Sequence, residues 1–240
     1  QINQIDQIDQ IWYWLAENHA DVTAVNAPHA FHPETFSYSE VADLIVFAAA
    51  GFSKLGLKRG EVVSLFSENS PRWLIADQGL MRVGASDAVR GTGAPVDELH
   101  YILENSNSVG VIVQNSEVWT KLALPDDSLR KLKVVVQLEG VPSKGVMSWD
   151  TLIDLGRSIE NLNEIVSSES SEDCSRNIAT IIYTSGTTGR PKGVPLSHAN
   201  ILHQIKSLAC VANPPSGSPV LSVLPIWHAY ERSAEYYFFS

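Results

Sequence analysis

The eleven residues from Tyr183 to Gly193, YTSGTTGRPKG, combine three glycines, four Ser/Thr hydroxyls and a lysine. Gly186, Gly189 and Gly193 allow close approach of backbone to a ligand. Thr184, Ser185, Thr187 and Thr188 add O–H donors to the amide N–H groups, and Lys192 adds a mobile positive charge. Such a wall of donors suits phosphate oxygens; the competing reading is a Gly/Thr surface turn that joins a strand to whatever follows. Spacing excludes the Walker A loop, which needs Gly-Lys-Ser/Thr, because Lys192 stands between Pro191 and Gly193.

The segments on either side set the fold class. Ile178 to Tyr183 is a β-branched, apolar strand that ends in the loop, and the carboxyl end of a parallel strand is where α/β sheets bind ligands. Upstream, strands and helices alternate. Ser39 is expected to cap a helix to about Leu55 closed by Gly56, Val62–Phe66 reads as a buried strand, and Ser70 and Pro71 open a helix to about Val83. Val96–Asn105 reads as a helix, Val109–Val113 as a strand, a short helix lies near Glu117, and Lys133–Leu138 reads as a strand. This alternation predicts an α/β fold with parallel-sheet layers flanked by helices. Ile2, Ile5, Ile8, Ile11 and Leu15 keep one apolar stripe at helical spacing, so the N-terminus reads as a helix packed on the body. Residues 157–175, with SSESSED at their centre, read as a mobile, acidic, Ser-rich linker inside the domain. Downstream, Ser197 caps a helix to about Cys210, Pro214–Pro219 forms a stiff loop, and Val220–Leu224 is expected to be another buried strand.

Composition narrows the partners. The 240 residues are 44% hydrophobic with a net charge of −10, which suits a soluble globular chain and argues against nucleic acid. Acidic residues are absent from Cys174 through Tyr230, whereas Arg176, Arg190, Lys192 and Lys206 lie inside that stretch. A carboxylate-free, locally positive segment is what a polyanionic ligand needs, although a charge-poor buried sheet region would look similar. The longest apolar run, Leu44–Phe52, is too short to span a bilayer. Cys174 and Cys210 make no disulfide framework or metal cluster.

A second cluster, LPIWHAYER from Leu224 to Arg232, follows the last expected strand. Arg90-Gly91-Thr92-Gly93 lacks the remaining glycine of a dinucleotide fingerprint and reads as a turn. His29 and His32 have no cysteine or carboxylate cluster to make a metal site, and His198 and His203, five apart, miss the ligand spacing on one helix face. Trp12, Trp14, Trp73 and Trp119 are expected to pack helices against the sheet.

YTSGTTGRPKG resembles the signature loop of the adenylate-forming (AMP-binding, acyl-CoA synthetase) superfamily. LPIWHAYER and Asp87–Gly91 (DAVRG) look most like its long-chain acyl-activating branch, in particular cyanobacterial and plastid acyl-acyl-carrier-protein synthetases. The resemblance implies that Thr184, Ser185, Gly186, Thr187, Thr188, Gly189 and Lys192 hold ATP phosphates. It further implies that Thr184 reaches Mg²⁺ and that Trp227 and His228 line the acyl pocket. The implied reaction is ATP-dependent activation of a long-chain fatty acid, then thioester formation on coenzyme A or acyl carrier protein. An aryl or amino-acid adenylating enzyme, and a non-catalytic nucleotide-binding module, stay open as alternatives. Cytoplasm or plastid stroma is the implied location, with peripheral membrane association left open. The chain lacks an initiating Met and stops within AEYYFFS, and the family's metal-binding Glu, ribose-binding Asp and adenylation Lys are not found in it. The expectation is therefore a partial N-terminal AMP-binding domain over residues 1–240, inactive by itself.

Overall fold

The computed structural model describes residues 5–31, 33–159, 174–184, 190–211, 213–215 and 217–240. A 3-10 turn at Ile8–Gln10 leads into α1 (Ile11–His19), then an antiparallel hairpin of β1 (Thr23–Ala27) and β2 (Glu34–Ser37). There follow α2 (Tyr38–Lys54), β3 (Val62–Phe66), α3 (Pro71–Arg82), β4 (Ser86–Arg90), α4 (Val96–Asn105) and β5 (Gly110–Val113). Next come α5 (Ser116–Leu122), α6 (Asp126–Leu129), β6 (Val134–Gln137), β7 (Met147–Ser148) and α7 (Trp149–Arg157). The last elements are β8 (Ile178–Thr184), β9 (Lys192–Ser197), α8 (His198–Leu208) and α9 (Ala229–Phe239). Residues 160–173, most of the expected acidic linker, lie outside the described residues, as do residues 185–189 of the glycine loop.

Seven strands form one sheet in the order β7-β6-β5-β3-β4-β8-β9, parallel throughout except for the antiparallel β8–β9 pair. Successive side chains point to opposite faces. Val63, Leu65, Ile112 and Ile182 therefore join a core with the helices α1, α2, α3, α7 and α8, whereas Phe66, Val111, Val113 and Tyr183 join a second core with α4 and α5. Ile8, Ile11 and Leu15 are buried as the N-terminal stripe predicts, and the helix itself begins only at Ile11. Trp12 and Trp73 are buried, and Trp14 and Trp119 pack half-buried against the two cores.

Local signals place the helix starts. Ser70 Oγ accepts the Trp73 amide at 3.0 Å, with Pro71 in the first helical position where its missing N–H costs nothing. For α2 the cap is Ser37 rather than the expected Ser39. Ser37 Oγ accepts from the Glu40 amide at 3.3 Å while Glu40 Oε2 accepts from the Ser37 amide at 2.8 Å, a reciprocal pair that a cap at Ser39 cannot make with Glu40. Helices α2 and α7 cross closely at two glycines. A Cβ on Gly156 would strike the Phe47 carbonyl, and one on Gly51 would strike that of Leu152.

Val220–Leu224 is not the buried strand its sequence predicts. Among the described residues no strand pairs with it, and Leu221 is 83% exposed. Side-chain hydrogen bonds from a neighbouring loop hold the segment instead, as described below. No described helix is long and apolar enough to cross a membrane.

Candidate functional site

Parallel pairing brings the carboxyl ends of β3, β4 and β8 to one edge of the sheet, with Glu68–Asn69, Gly91–Thr92 and Thr184 just beyond or at them. The β4–β8 register includes Val89 opposite Ile182, so Gly91 and Thr184 stand two residues further along neighbouring strands. On the other side of β8 the chain returns as β9, with Thr184 opposite Lys192 and Tyr183 opposite Gly193. The glycine loop is thus the connection of an antiparallel hairpin, and Thr184 and Lys192 are an exposed cross-strand pair at its mouth. Cross-strand partners of this kind have Cβ atoms about 5 Å apart, close enough for a hydroxyl and an ammonium to share one polyanion. Ser185, Gly186, Thr187, Thr188 and Gly189 lie outside the described residues.

The hairpin is rooted in the second core. Tyr183 donates from its hydroxyl to Asn105 Oδ1 at 2.9 Å and meets Tyr101 edge-on at 6.5 Å, while the Arg190 guanidinium lies 5.5 Å from the Tyr101 ring. Burial pushes the Tyr183 phenol up to about 12, so it stays a proton donor at neutral pH.

LPIWHAYER is held at the same edge by residues the sequence reading passed over. Asn69, after β3, accepts from the Ile226 amide at 3.0 Å. The same side chain donates to the Leu224 carbonyl at 2.8 Å and to Ser222 Oγ at 3.1 Å. Trp227 lies against Gly91, where a Cβ would run into its indole ring. The Arg90–Gly93 turn is therefore a floor for Trp227. Glu68 fixes that turn by accepting from the Thr92 amide at 2.8 Å and the Thr92 hydroxyl at 2.7 Å. His228 is exposed at the N-cap of α9.

Behind it, Arg232 is 1% exposed and ties α9 to three elements of the body. It pairs with Asp77 on α3, with Asp87 on β4 at 3.0 Å, and with the Thr180 hydroxyl on β8 at 2.6 Å. Its Nε donates to the Tyr236 hydroxyl at 2.8 Å, and Tyr236 in turn donates to Asp77. Burial pushes Asp87 up to about 8, with Arg232 pulling it down and Asp77 adding to the rise. Nothing in the local sequence announces this network, because its acids lie 155 and 145 residues from the arginine.

Two histidine expectations meet the structure directly. His198 is buried and accepts the Ile8 amide on Nδ1 at 3.2 Å, which requires the neutral ring. Burial lowers its pKa to about 4. His29 is exposed, and His32 lies outside the described residues.

The sequence profile described as AMP-binding enzyme matches residues 12–240. A chloroplastic long-chain-fatty-acid–[acyl-carrier-protein] ligase of Arabidopsis thaliana is 37% identical, over 97% of this chain and 34% of its own length. A long-chain-fatty-acid–CoA ligase of Xenopus laevis is 32% identical, over 81% of this chain and 26% of its own length. The chain thus spans about a third or less of the length of these curated relatives. In fold it is similar to the N-terminal domain of FACL13 from Mycobacterium tuberculosis, with TM-score 0.74 at 21% identity, covering 98% of this chain and 55% of that one.

Proposed function

The chain belongs to the family of AMP-binding enzymes, and on that premise we propose that it carries the phosphate grip and part of the acyl pocket of a long-chain fatty acid ligase. In that reaction a carboxylate oxygen attacks the α-phosphorus of ATP in line. The bond to the pyrophosphate oxygen breaks, and a thiol of coenzyme A or acyl carrier protein then attacks the acyl carbon and expels AMP. The observation that carries the reading is the β8–β9 register, which sets Thr184 beside Lys192 at the mouth of a loop made of Ser185, Gly186, Thr187, Thr188 and Gly189. Charge gathers on the departing pyrophosphate, and amide and hydroxyl donors with one ammonium would stabilise it.

Mg²⁺ would neutralise phosphate charge in the same place. Thr184 offers one hydroxyl ligand, and the described residues offer no carboxylate cage. Such a donor set fits an ion held mainly by the substrate's own phosphates and water. Because the chain spans only about a third or less of the length of these relatives, the 240 residues measured alone are expected to give ATP–pyrophosphate exchange at background.

Trp227, seated on Gly91, and His228, exposed beside it, are assigned to the acyl pocket, Trp227 as an apolar wall and His228 as a contact to the carboxylate or phosphate. Long-chain acids are favoured over aryl or amino acids by the names of the relatives that match most of this chain. A plastid or cytoplasmic setting goes with this reading.

The test is ATP–pyrophosphate exchange on the longest product of the reading frame that contains this sequence, with palmitate, benzoate and amino acids as alternative acids. Exchange driven by palmitate is expected. Exchange driven by benzoate or an amino acid and absent with palmitate would overturn the substrate class. Thioester formation with coenzyme A and with acyl carrier protein then identifies the acceptor.

A further inference from the structure

Ser222 Oγ has three polar neighbours: Asn69 Nδ2 at 3.1 Å, Glu231 Oε1 at 2.9 Å and Glu235 Oε2 at 3.1 Å. The orientation of the Asn69 amide is fixed, because its Oδ1 accepts from the Ile226 amide and its Nδ2 must therefore be the group facing Ser222. A serine hydroxyl carries one hydrogen and can donate it once. It accepts from Asn69 and donates to one carboxylate, which leaves a second carboxylate oxygen at hydrogen-bond distance with no hydrogen between. Two ionised carboxylates cannot both be satisfied by this one hydroxyl, and a proton on Glu235 supplies the missing donor.

The structure assigns to Asn69, Ser222, Glu231 and Glu235 the role of a proton-dependent clasp that positions the segment carrying Trp227 and His228. Asn69 is the positioning residue at its centre, joining the loop after β3 to Ser222, Leu224 and Ile226 at once. With the shared proton in place the segment is tied to both α9 and Asn69. Without it, two negative charges converge on one hydroxyl, the tie to α9 opens, and the segment is held by Asn69 alone, so the Ile226 amide opens more readily.

The surroundings place the titration within reach of ordinary pH. Burial pushes Glu235 up to about 7, the bond from Ser222 lowers it, Glu231 and Asp77 raise it further, and Arg232 lowers it. On its own helix it thus faces Glu231 and Arg232, with Tyr236 beside them, and from α3 it faces Asp77. From α8, His198 is neutral, and His203 and Lys206 are exposed. Asp87 on β4 is bound to Arg232.

The role given to the clasp rests on reading Trp227 and His228 as part of the site, and its test reads the clasp alone, so the two can fail separately. Hydrogen exchange of the Ile226 amide is followed in the 240-residue chain at about pH 5.5 and about pH 8.5, corrected for intrinsic rates, with β3 and β5 amides as controls. Protection of Ile226 is expected to fall at least about tenfold at the higher pH while the controls hold. Glu235→Gln, whose amide donates to Ser222 permanently, is expected to stay protected at both values. Asn69→Ala is expected to be unprotected at both, with its β3 and β5 amides as slow as in the parent. Equal Ile226 protection at both pH values in the parent chain, or an unchanged pH dependence in Glu235→Gln, would overturn the clasp. Neither result would touch the palmitate-exchange test.

Discussion

Gly91 is bare because an indole occupies the place a side chain would take, and this explains a residue that its own neighbourhood makes look like part of a turn. Gly91→Ala forces Trp227 off its seat. We expect a loss of about 1–3 kcal/mol in urea unfolding, together with a change in near-ultraviolet circular dichroism. A variant with parental stability and spectrum would show that Trp227 does not rest there. Arg232 offers a larger effect. Arg232→Met leaves Asp77 and Asp87 facing each other unpaired in the interior, and removing one partner of a buried charge network costs about 3–5 kcal/mol. Adding Asp87→Asn should restore part of that loss, which a simple packing defect would not do. The contacts of Gly91, Asn69 and Arg232 were illegible in the sequence for one reason. Each acts on a partner more than a hundred residues away, and no periodicity or cap reports such distances. Thr184 and Lys192 stood out in the sequence because only seven residues of one contiguous loop separate them.

Among the elements, those whose signals are local read well from sequence. The helices α3, α4 and α8 and the strands β3, β5, β6 and β8 follow from caps, apolar runs and spacing. The elements that escaped are those whose stability comes from a neighbour. β9 carries Pro195 and exposes Lys192, Val194 and Pro195, which argues against a central strand; it exists because β8 offers it a free edge, where a proline's missing N–H is tolerated. Val220–Leu224 fails in the opposite sense, with an apolar run bracketed by prolines that finds no edge among the described residues. The close crossing of α2 and α7 depends on Gly51 and Gly156, and neither looks special in its own helix. Gly156→Ala should lower the urea midpoint by the equivalent of about 1–3 kcal/mol despite alanine's better helix propensity. An unchanged or raised midpoint would contradict the close approach of α7 to Phe47.

For the molecule as a whole, buried ionisable groups set how stability answers to pH. Asp87 and Glu235 hold protons in the folded chain up to about 8 and about 7, whereas unfolded carboxyls release theirs near pH 4. Their contribution to stability is in place at low pH and is lost as pH rises through those values. His198 works in the other direction. Its folded pKa of about 4 lies below the unfolded value, about 6.5, so it weakens the fold as pH falls across that interval. Above about pH 6.5 His198 no longer opposes the two acids, and the urea midpoint should fall between about pH 6.5 and about pH 8.5. Asp87→Asn should flatten that fall, and an equally steep fall in the variant would reassign it.

The central claim is that the β8–β9 hairpin grips the outer phosphates of a nucleotide. Titration calorimetry of the 240-residue chain with ATP and with AMP, before and after Lys192→Ala, tests it most directly. Losing one charge-assisted contact to phosphate costs about 1.5–3 kcal/mol, so the variant should bind ATP about ten- to a hundredfold more weakly while its affinity for AMP is unchanged. Equal loss for both nucleotides, no loss for either, or no ATP binding by the parent chain would contradict the account.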